Sequence, residues 1–294
     1  MYLREDSSLT AGPAGARRRR SLLPTALLPM LAALLALTLA ACGGGDDGGS
    51  ETTTEAEKPK EPATTSSAEQ ASSTPGALNA TISGTITFGA EARRAPAVLN
   101  MEADPVCAEK NAEDPKTEQA FLLDDAKGLA NVLIQVTSGL PEMEFDAPAS
   151  EVEFTQSGCI YDPHILIARV GQTVKILNPD GTLHNVHVFG KVNQEFNQAM
   201  PKFQTELEQV FDKVEAEPFA IKCDVHPWMN AFGVVLDHPY AAVTAPDGTF
   251  SIPNLPAGTY QVEVWHELLG ASTHEVTVTE GGTATLDLAL QPPS

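Results

Sequence analysis

The chain has 294 residues and a formal net charge of −21, from 39 acidic and 18 basic side chains. That balance makes nucleic acid and anionic membrane surfaces poor partners and favours a basic protein instead. Four cysteines and seven histidines leave room for a small metal site or a disulfide, but not for a disulfide-dense scaffold.

Residues 1–42 read as a targeting segment, to be set apart from the fold. Arg17 to Arg20 are basic, and Ser21 to Ala41 are apolar and rich in Leu and Ala. Leu39-Ala40-Ala41-Cys42 resembles a bacterial lipobox, in which small residues precede a Cys that becomes the lipidated first residue. Pro24, Pro29 and that ending favour cleavage over a spanning helix, which the length would also permit. Arg19-Arg20-Ser21-Leu22-Leu23 also resembles a twin-arginine signal. The segment holds five Arg and two acids. Removing it leaves 13 basic and 37 acidic residues, a net charge of −24.

Residues 43–76 are Gly, Asp, Thr, Glu, Ser, Ala and Pro with almost nothing to bury, the composition of a disordered tether. About 215 residues remain, enough for one large or two small β domains.

From Ala80 the pattern alternates. Ile82, Gly84, Ile86 and Phe88 share a face against Thr81, Ser83, Thr85 and Thr87, as in a half-buried strand. An irregular stretch with Pro96, Pro105, Cys107 and Pro115 follows. Alternation resumes at Gly128-Leu129-Ala130-Asn131-Val132, with Val132, Ile134 and Val136 on one face. Phe203, Leu207 and Phe211 recur every four residues, which suits a helix over 204–217. The same residues fit period two with Thr205 and Gln209, so periodicity leaves this stretch open.

Phe219, Ile221 and Cys223 alternate into Cys223-Asp224-Val225-His226-Pro227-Trp228-Met229. Ala231 to Leu236 then reads as the next strand. Cys-x2-His-x2-Met in one loop between two strands brings thiolate, imidazole and thioether together. Upstream, Leu183-His184-Asn185-Val186-His187 can supply a second imidazole. One Cys, two His and a weak axial Met are the ligands of a blue-copper electron-transfer site. The expected metal ligands are therefore His184, Cys223, His226 and Met229. On an extended chain His184 and His187 face opposite ways, so His187 is assigned a structural role.

This loop resembles that of the cupredoxins, and its spacing is closest to the amicyanin type. Val170-Gly171-Gln172-Thr173-Val174-Lys175-Ile176-Leu177-Asn178 resembles the run leading to the first His ligand, and His184-Asn185-Val186 matches that ligand's setting. The resemblance covers residues 150–238. It implies a Greek-key sandwich with strands over 204–217. It also implies that Asn185 supports the thiolate, and that the edge of His226, exposed beside Pro227 and Trp228, is the electron port.

Beyond the loop, Pro246-Asp247-Gly248, Leu255-Pro256-Ala257-Gly258 and Gly281-Gly282 are turns. Phe250 and Ile252 alternate between them, as do Tyr260, Val262 and Val264, then Val276 and Val278, and finally Leu286, Leu288 and Leu290. Asp247-Gly248-Thr249-Phe250 and Leu255-Pro256-Ala257-Gly258-Thr259-Tyr260 resemble transthyretin-like modules, also called carboxypeptidase regulatory-like domains. The N-terminal strands look like the first half of the same module. The expectation is all-β, with a cupredoxin domain (150–238) inserted between the halves of a transthyretin-like sandwich (77–149 and 239–294). Three modules in series are the rival arrangement.

With Cys42 assigned to lipid and Cys223 to copper, Cys107 and Cys159 are left to pair in an exported protein. The alternative places Cys159 and His164 in a second metal site. His238, His266 and His274 fall outside the pattern. No nucleophile triad, carboxylate pair or phosphate loop stands out, and the His-x-His patterns of multi-copper enzymes are absent, so the chain reads as a non-enzyme. The leading expectation is a copper protein, lipid-anchored on the outer side of a bacterial cell membrane, passing single electrons to a redox partner such as a basic cytochrome. A carbohydrate- or protein-binding module with structural copper, and a copper delivery or storage protein, are the alternatives.

Overall fold

The computed structural model describes residues 76–91 and 95–292. The expected signal segment, Cys42 and the tether up to residue 75 lie outside the described residues.

Strand β1 (Ala80–Phe88) buries Ala80, Ile82, Ile86 and Phe88. Gly84, on the same face by alternation, is glycine because a Cβ there would meet the Leu286 carbonyl oxygen at 2.0 Å. The irregular stretch contains a short helix that periodicity did not indicate, α1 (Pro105–Lys110). Its local signal is nonetheless present. Asp104 caps the N-terminus, accepting from the Val106 and Cys107 amides, and Pro105 opens the helix. Strand β2 (Leu133–Ser138) follows, shorter than the alternation suggested.

Eight strands then build a sandwich of their own: β3 (Val152–Thr155), β4 (Ile165–Arg169), β5 (Thr173–Leu177), β6 (His184–Val188), β7 (Phe196–Met200), β8 (Glu206–Val210), β9 (Glu215–Lys222) and β10 (Asn230–Leu236). One sheet runs β4-β10-β9-β6-β7 and the other β3-β5-β8. Phe154, Val174 and Ile176 of the smaller sheet share a core with Leu166, Val186, Ile221 and Val235 of the larger. The stretch left open, 204–217, forms strands. Leu207 pairs with Ile176 across β5 and β8, while Phe203 is 83% exposed and breaks the apparent helical face.

The remaining strands are β11 (Ala241–Val243), β12 (Thr249–Leu255), β13 (Gly258–His266), β14 (Gly270–Val278), β15 (Thr283–Thr285) and β16 (Leu288–Leu290). They pair with the N-terminal strands. β1 lies between β12 and β15, with β16 also on it, and β2 lies between β11 and β13. Strands from the two ends of the described chain thus share a second core, in which Ile82, Ile86, Ile134 and Val136 meet Ile252, Tyr260, Val262 and Val264. The turn before β12 needs Gly248, at φ +79°, and a Cβ there would meet the Ile86 carbonyl oxygen at 2.3 Å. A third small cluster of Leu133, Ile165, Val234 and Leu236, with Trp265 packed against it, joins residues of the two sandwiches.

Candidate metal centre

The residues from Cys223 to Met229 form the turn between β9 and β10, whose ends pair at Lys222 and Asn230. The loop is closed by its own backbone: the Cys223 amide donates to the Met229 carbonyl at 3.1 Å, and the Met229 amide to the His226 carbonyl at 2.9 Å. A loop cinched this way holds three side chains inward with little freedom. Cys223, His226 and Met229 are all buried. His184 opens β6, which pairs with β9, and is fully buried.

The side chains converge. The Nδ1 atoms of His184 and His226 lie 2.9 Å apart, and the Cys223 Sγ lies 3.7 Å from the His226 Nδ1. The outer nitrogens face carboxylates, His184 Nε2 at 3.0 Å from Asp180 and His226 Nε2 at 3.1 Å from Asp104. An Nε2–H on each ring satisfies those carboxylates and leaves two Nδ1 lone pairs aimed at one point beside a sulfur. Such a point calls for positive charge, either a proton on one imidazole or a metal ion held by both. Imidazoles oriented by carboxylates on the far nitrogen are the usual arrangement of metal-ligating histidines.

The sulfur is prepared as a thiolate. Burial alone would raise the Cys223 pKa, but hydrogen bonds involving His184, His226 and Asn185 outweigh it and hold it at about 6. Asn185 is placed centrally. Its Oδ1 lies 3.3 Å from the Cys223 Sγ and accepts from the Asp224 amide at 2.7 Å, so its side chain ties β6 to the ligand loop. The thiolate, imidazole and buried Met of this loop, with the His184 imidazole from β6, form a donor set that fits copper.

Residues that the sequence reading did not single out complete the surroundings. Buried Asp180 accepts from the amides of Gly158 at 2.9 Å and Cys159 at 2.7 Å, as well as pairing with Lys110 at 2.9 Å. These donors and His184 overcome burial and lower its pKa to about 2. Asp104 is the α1 cap. The Asp104-Pro105 pair signals a helix start, but nothing local says that its second oxygen faces a histidine 122 residues away.

The expected Cys107–Cys159 pair is present, whereas the alternative second metal site and the exposed edge of His226 are corrected. Cys107 and Cys159 form a disulfide with an S–S distance of 2.04 Å, so Cys159 has no thiolate to offer a second metal site. His164 instead pairs with Glu267. The Cys107 sulfur does lie within 4.8 Å of ring nitrogens of His184 and His226, and the Cys159 sulfur similarly close to Asp180 and His184. As disulfide sulfurs both are neighbours of the site rather than ligands. His226 is also not an exposed edge. It is 2% exposed, because α1 and its disulfide bring Asp104 over the ring. Pro227 is exposed and Trp228 half-buried. The Trp228 ring centroid lies 4.9 Å from that of His226, and its indole N–H donates to the Cys159 carbonyl at 3.0 Å.

The other histidines stay apart from the centre. His187 is engaged at both nitrogens, with Asp224 and Glu195 at 3.1 Å each, and stacks on Phe189. His266 is buried in the second sandwich and His274 bonds Ser272. Among the described residues no helix is long and apolar enough to cross a membrane.

Solved structures similar to the chain are cupredoxins and a copper enzyme. The copper-containing nitrite reductase from Thermus scotoductus shows 18% identity over 34% of this chain and 26% of its own, with a TM-score of 0.28. The chain therefore spans about a quarter of that enzyme's length. A purple cupredoxin from Nitrosopumilus maritimus shows 22% identity over 29% of this chain and 98% of its own, at a TM-score of 0.24. A Cu(I) amicyanin variant shows 22% identity over 35% and 97%, at 0.26. No curated protein matches the chain. Residues 233–291 match the family model of the carboxypeptidase regulatory-like domain, a match that begins within β10 of the middle sandwich. The C-terminal part of the chain is similar to a carboxypeptidase regulatory-like domain.

Proposed function

We propose that this chain is a one-electron carrier with a type 1 copper site, which His184, Cys223 and His226 would hold with Met229 as a weaker fourth ligand. The observation that carries the reading is the convergence of two imidazole Nδ1 atoms, one from β6 and one from a buried, backbone-closed turn, beside the thiol of that turn. When bound, copper supplies a one-electron couple. The chain's contribution is to hold the donors still. β6 and the cinched loop fix their positions, Asp180 and Asp104 orient the rings, and the Asn185 backbone amide stabilises the thiolate. A site that need not reorganise between oxidation states exchanges electrons with a low barrier, and burial excludes water from it.

In this reading electrons pass by way of Trp228 and Pro227, the residues beside His226 that reach the surface. The chain is no enzyme and sits outside the cytoplasm, anchored through a lipidated Cys42, with a basic redox protein such as a cytochrome as its partner. Titration with Cu(II) tests the proposal. One copper per chain should bind with intense visible thiolate-to-copper absorption, lost in Cys223→Ser and kept, with a shifted potential, in Met229→Leu. Full colour in Cys223→Ser would refute the ligand set. For the partner, raising the ionic strength should slow oxidation of the reduced protein by a basic cytochrome, since steering is screened over about 8–10 Å at physiological salt. Equal rates with basic and acidic cytochromes, unchanged by salt, would overturn it.

A further inference from the structure

One turn and a half of helix reaches both imidazoles of the centre through carboxylates. The Asp104 carboxylate divides its oxygens. Oδ1 accepts from the amides of Val106 and Cys107, at 2.8 and 3.2 Å, and so caps α1. Oδ2 accepts from the Thr182 hydroxyl at 2.9 Å and faces the His226 Nε2 at 3.1 Å. At the other end of the helix Lys110 pairs with Asp180 at 2.9 Å, and Asp180 holds the His184 Nε2. Between them Cys107 fastens the helix to Cys159, whose amide also donates to Asp180. Apart from the Asp104 cap and the Asp180–His184 pair, these contacts join groups distant in sequence, and none of the carboxylates, the lysine or the disulfide belongs to the donor set.

We infer that the 104–110 segment is a bracket for the metal centre, with Asp104 a positioning residue that closes the outer edge of His226 and sets its orientation. Three observations carry this. His226 is buried although it sits in a surface turn. Its only outward-facing nitrogen is taken by a carboxylate. That carboxylate is fixed by three further donors, so it cannot follow the ring if the ring moves. A carboxylate on the far nitrogen makes the imidazole a stronger donor and adds negative charge near the metal, which favours the higher oxidation state. The same contact keeps solvent and partner surfaces off the His226 edge.

The inference about the potential rests on the copper reading; the inference about the ring does not, and the experiment separates the two. Asp104→Ser keeps an N-cap of equal quality but is too short to reach His226. In the metal-free protein, the wild-type His226 Nε2–H should be visible by nitrogen-resolved NMR and exchange slowly with solvent. In Asp104→Ser its exchange should rise at least tenfold, with the Cys107–Cys159 disulfide intact. In the copper-loaded protein the same change should raise the reduction potential and leave the thiolate absorption in place. Lys110→Met should leave the His226 signal unaltered, because Lys110 acts through Asp180 on the other ring. A wild-type His226 proton that exchanges as fast as that of free imidazole would overturn the inference, even if Asp104→Ser failed to fold. So would a folded Asp104→Ser with unchanged exchange and potential. A colourless wild type with a protected His226 proton would sink the copper reading and leave the bracket standing.

Discussion

The two sandwiches bury histidine in different surroundings. In the middle one, Asp180, His184, Asn185 and His226 are all buried, and each is hydrogen-bonded to another polar side chain. In the other, the core is almost wholly apolar, and the buried imidazole of His266 has an Nε2 without a partner. Both regions bury histidine, but only one builds outward from it. Burial alone therefore does not mark a functional histidine. What marks it is a carboxylate on the far nitrogen and a second donor opposite the near one.

The comparison can be broken most severely at Asp180. Removing a buried carboxylate that serves His184, Lys110 and two backbone amides leaves those donors stranded. Asp180→Ala should destabilise the protein by about 3–5 kcal/mol, read by chemical denaturation. A loss under about 1 kcal/mol, within the range of surface pairs, would mean the middle sandwich is no more dependent on its polar groups than the other.

His266 gives the opposite signature. Burial lowers its pKa to about 4, against an unfolded value of about 6.5. Between those values the unfolded chain binds a proton that the folded chain excludes. Stability should fall as pH drops from about 6.5 to about 4, by about 3 kcal/mol for this group. Below that it should contribute no further change. His266→Gln should remove this share of the acid loss when denaturation at pH 7 and pH 4 is compared between variant and wild type. An identical pH dependence in both would show that the imidazole is not held neutral.

A smaller effect is expected at Tyr260, whose hydroxyl donates to the Pro256 carbonyl at 2.6 Å across the turn that opens β13. Tyr260→Phe should cost about 1 kcal/mol and leave metal binding untouched. A change in the visible spectrum of that variant would show that the second sandwich's core is coupled to the metal centre.

The second sandwich was largely legible in the sequence because its cues are local. Ile82, Ile86, Tyr260, Val262 and Val264 alternate, and Asp247-Gly248 turns the chain. The ligand loop was legible for the same reason, since Cys223, His226 and Met229 lie within seven residues. What escaped was long-range. Asp104 meets His226 across 122 residues, and Asp180 works through Lys110 and the Cys159 amide. An exposed His226 was expected because the loop alone cannot reveal what covers it. The 204–217 stretch stayed undecided because Phe203, Leu207 and Phe211 satisfy both periods. Only pairing with β5, and the solvent around Phe203, separates them.

The most direct test of the central claim is the visible spectrum of the protein on addition of one equivalent of Cu(II), recorded for wild type and Cys223→Ser side by side. The account predicts intense thiolate-to-copper absorption that saturates at one copper per chain in the wild type and is absent in the variant. A wild type that stays colourless at saturation, or a variant that colours equally, would contradict it.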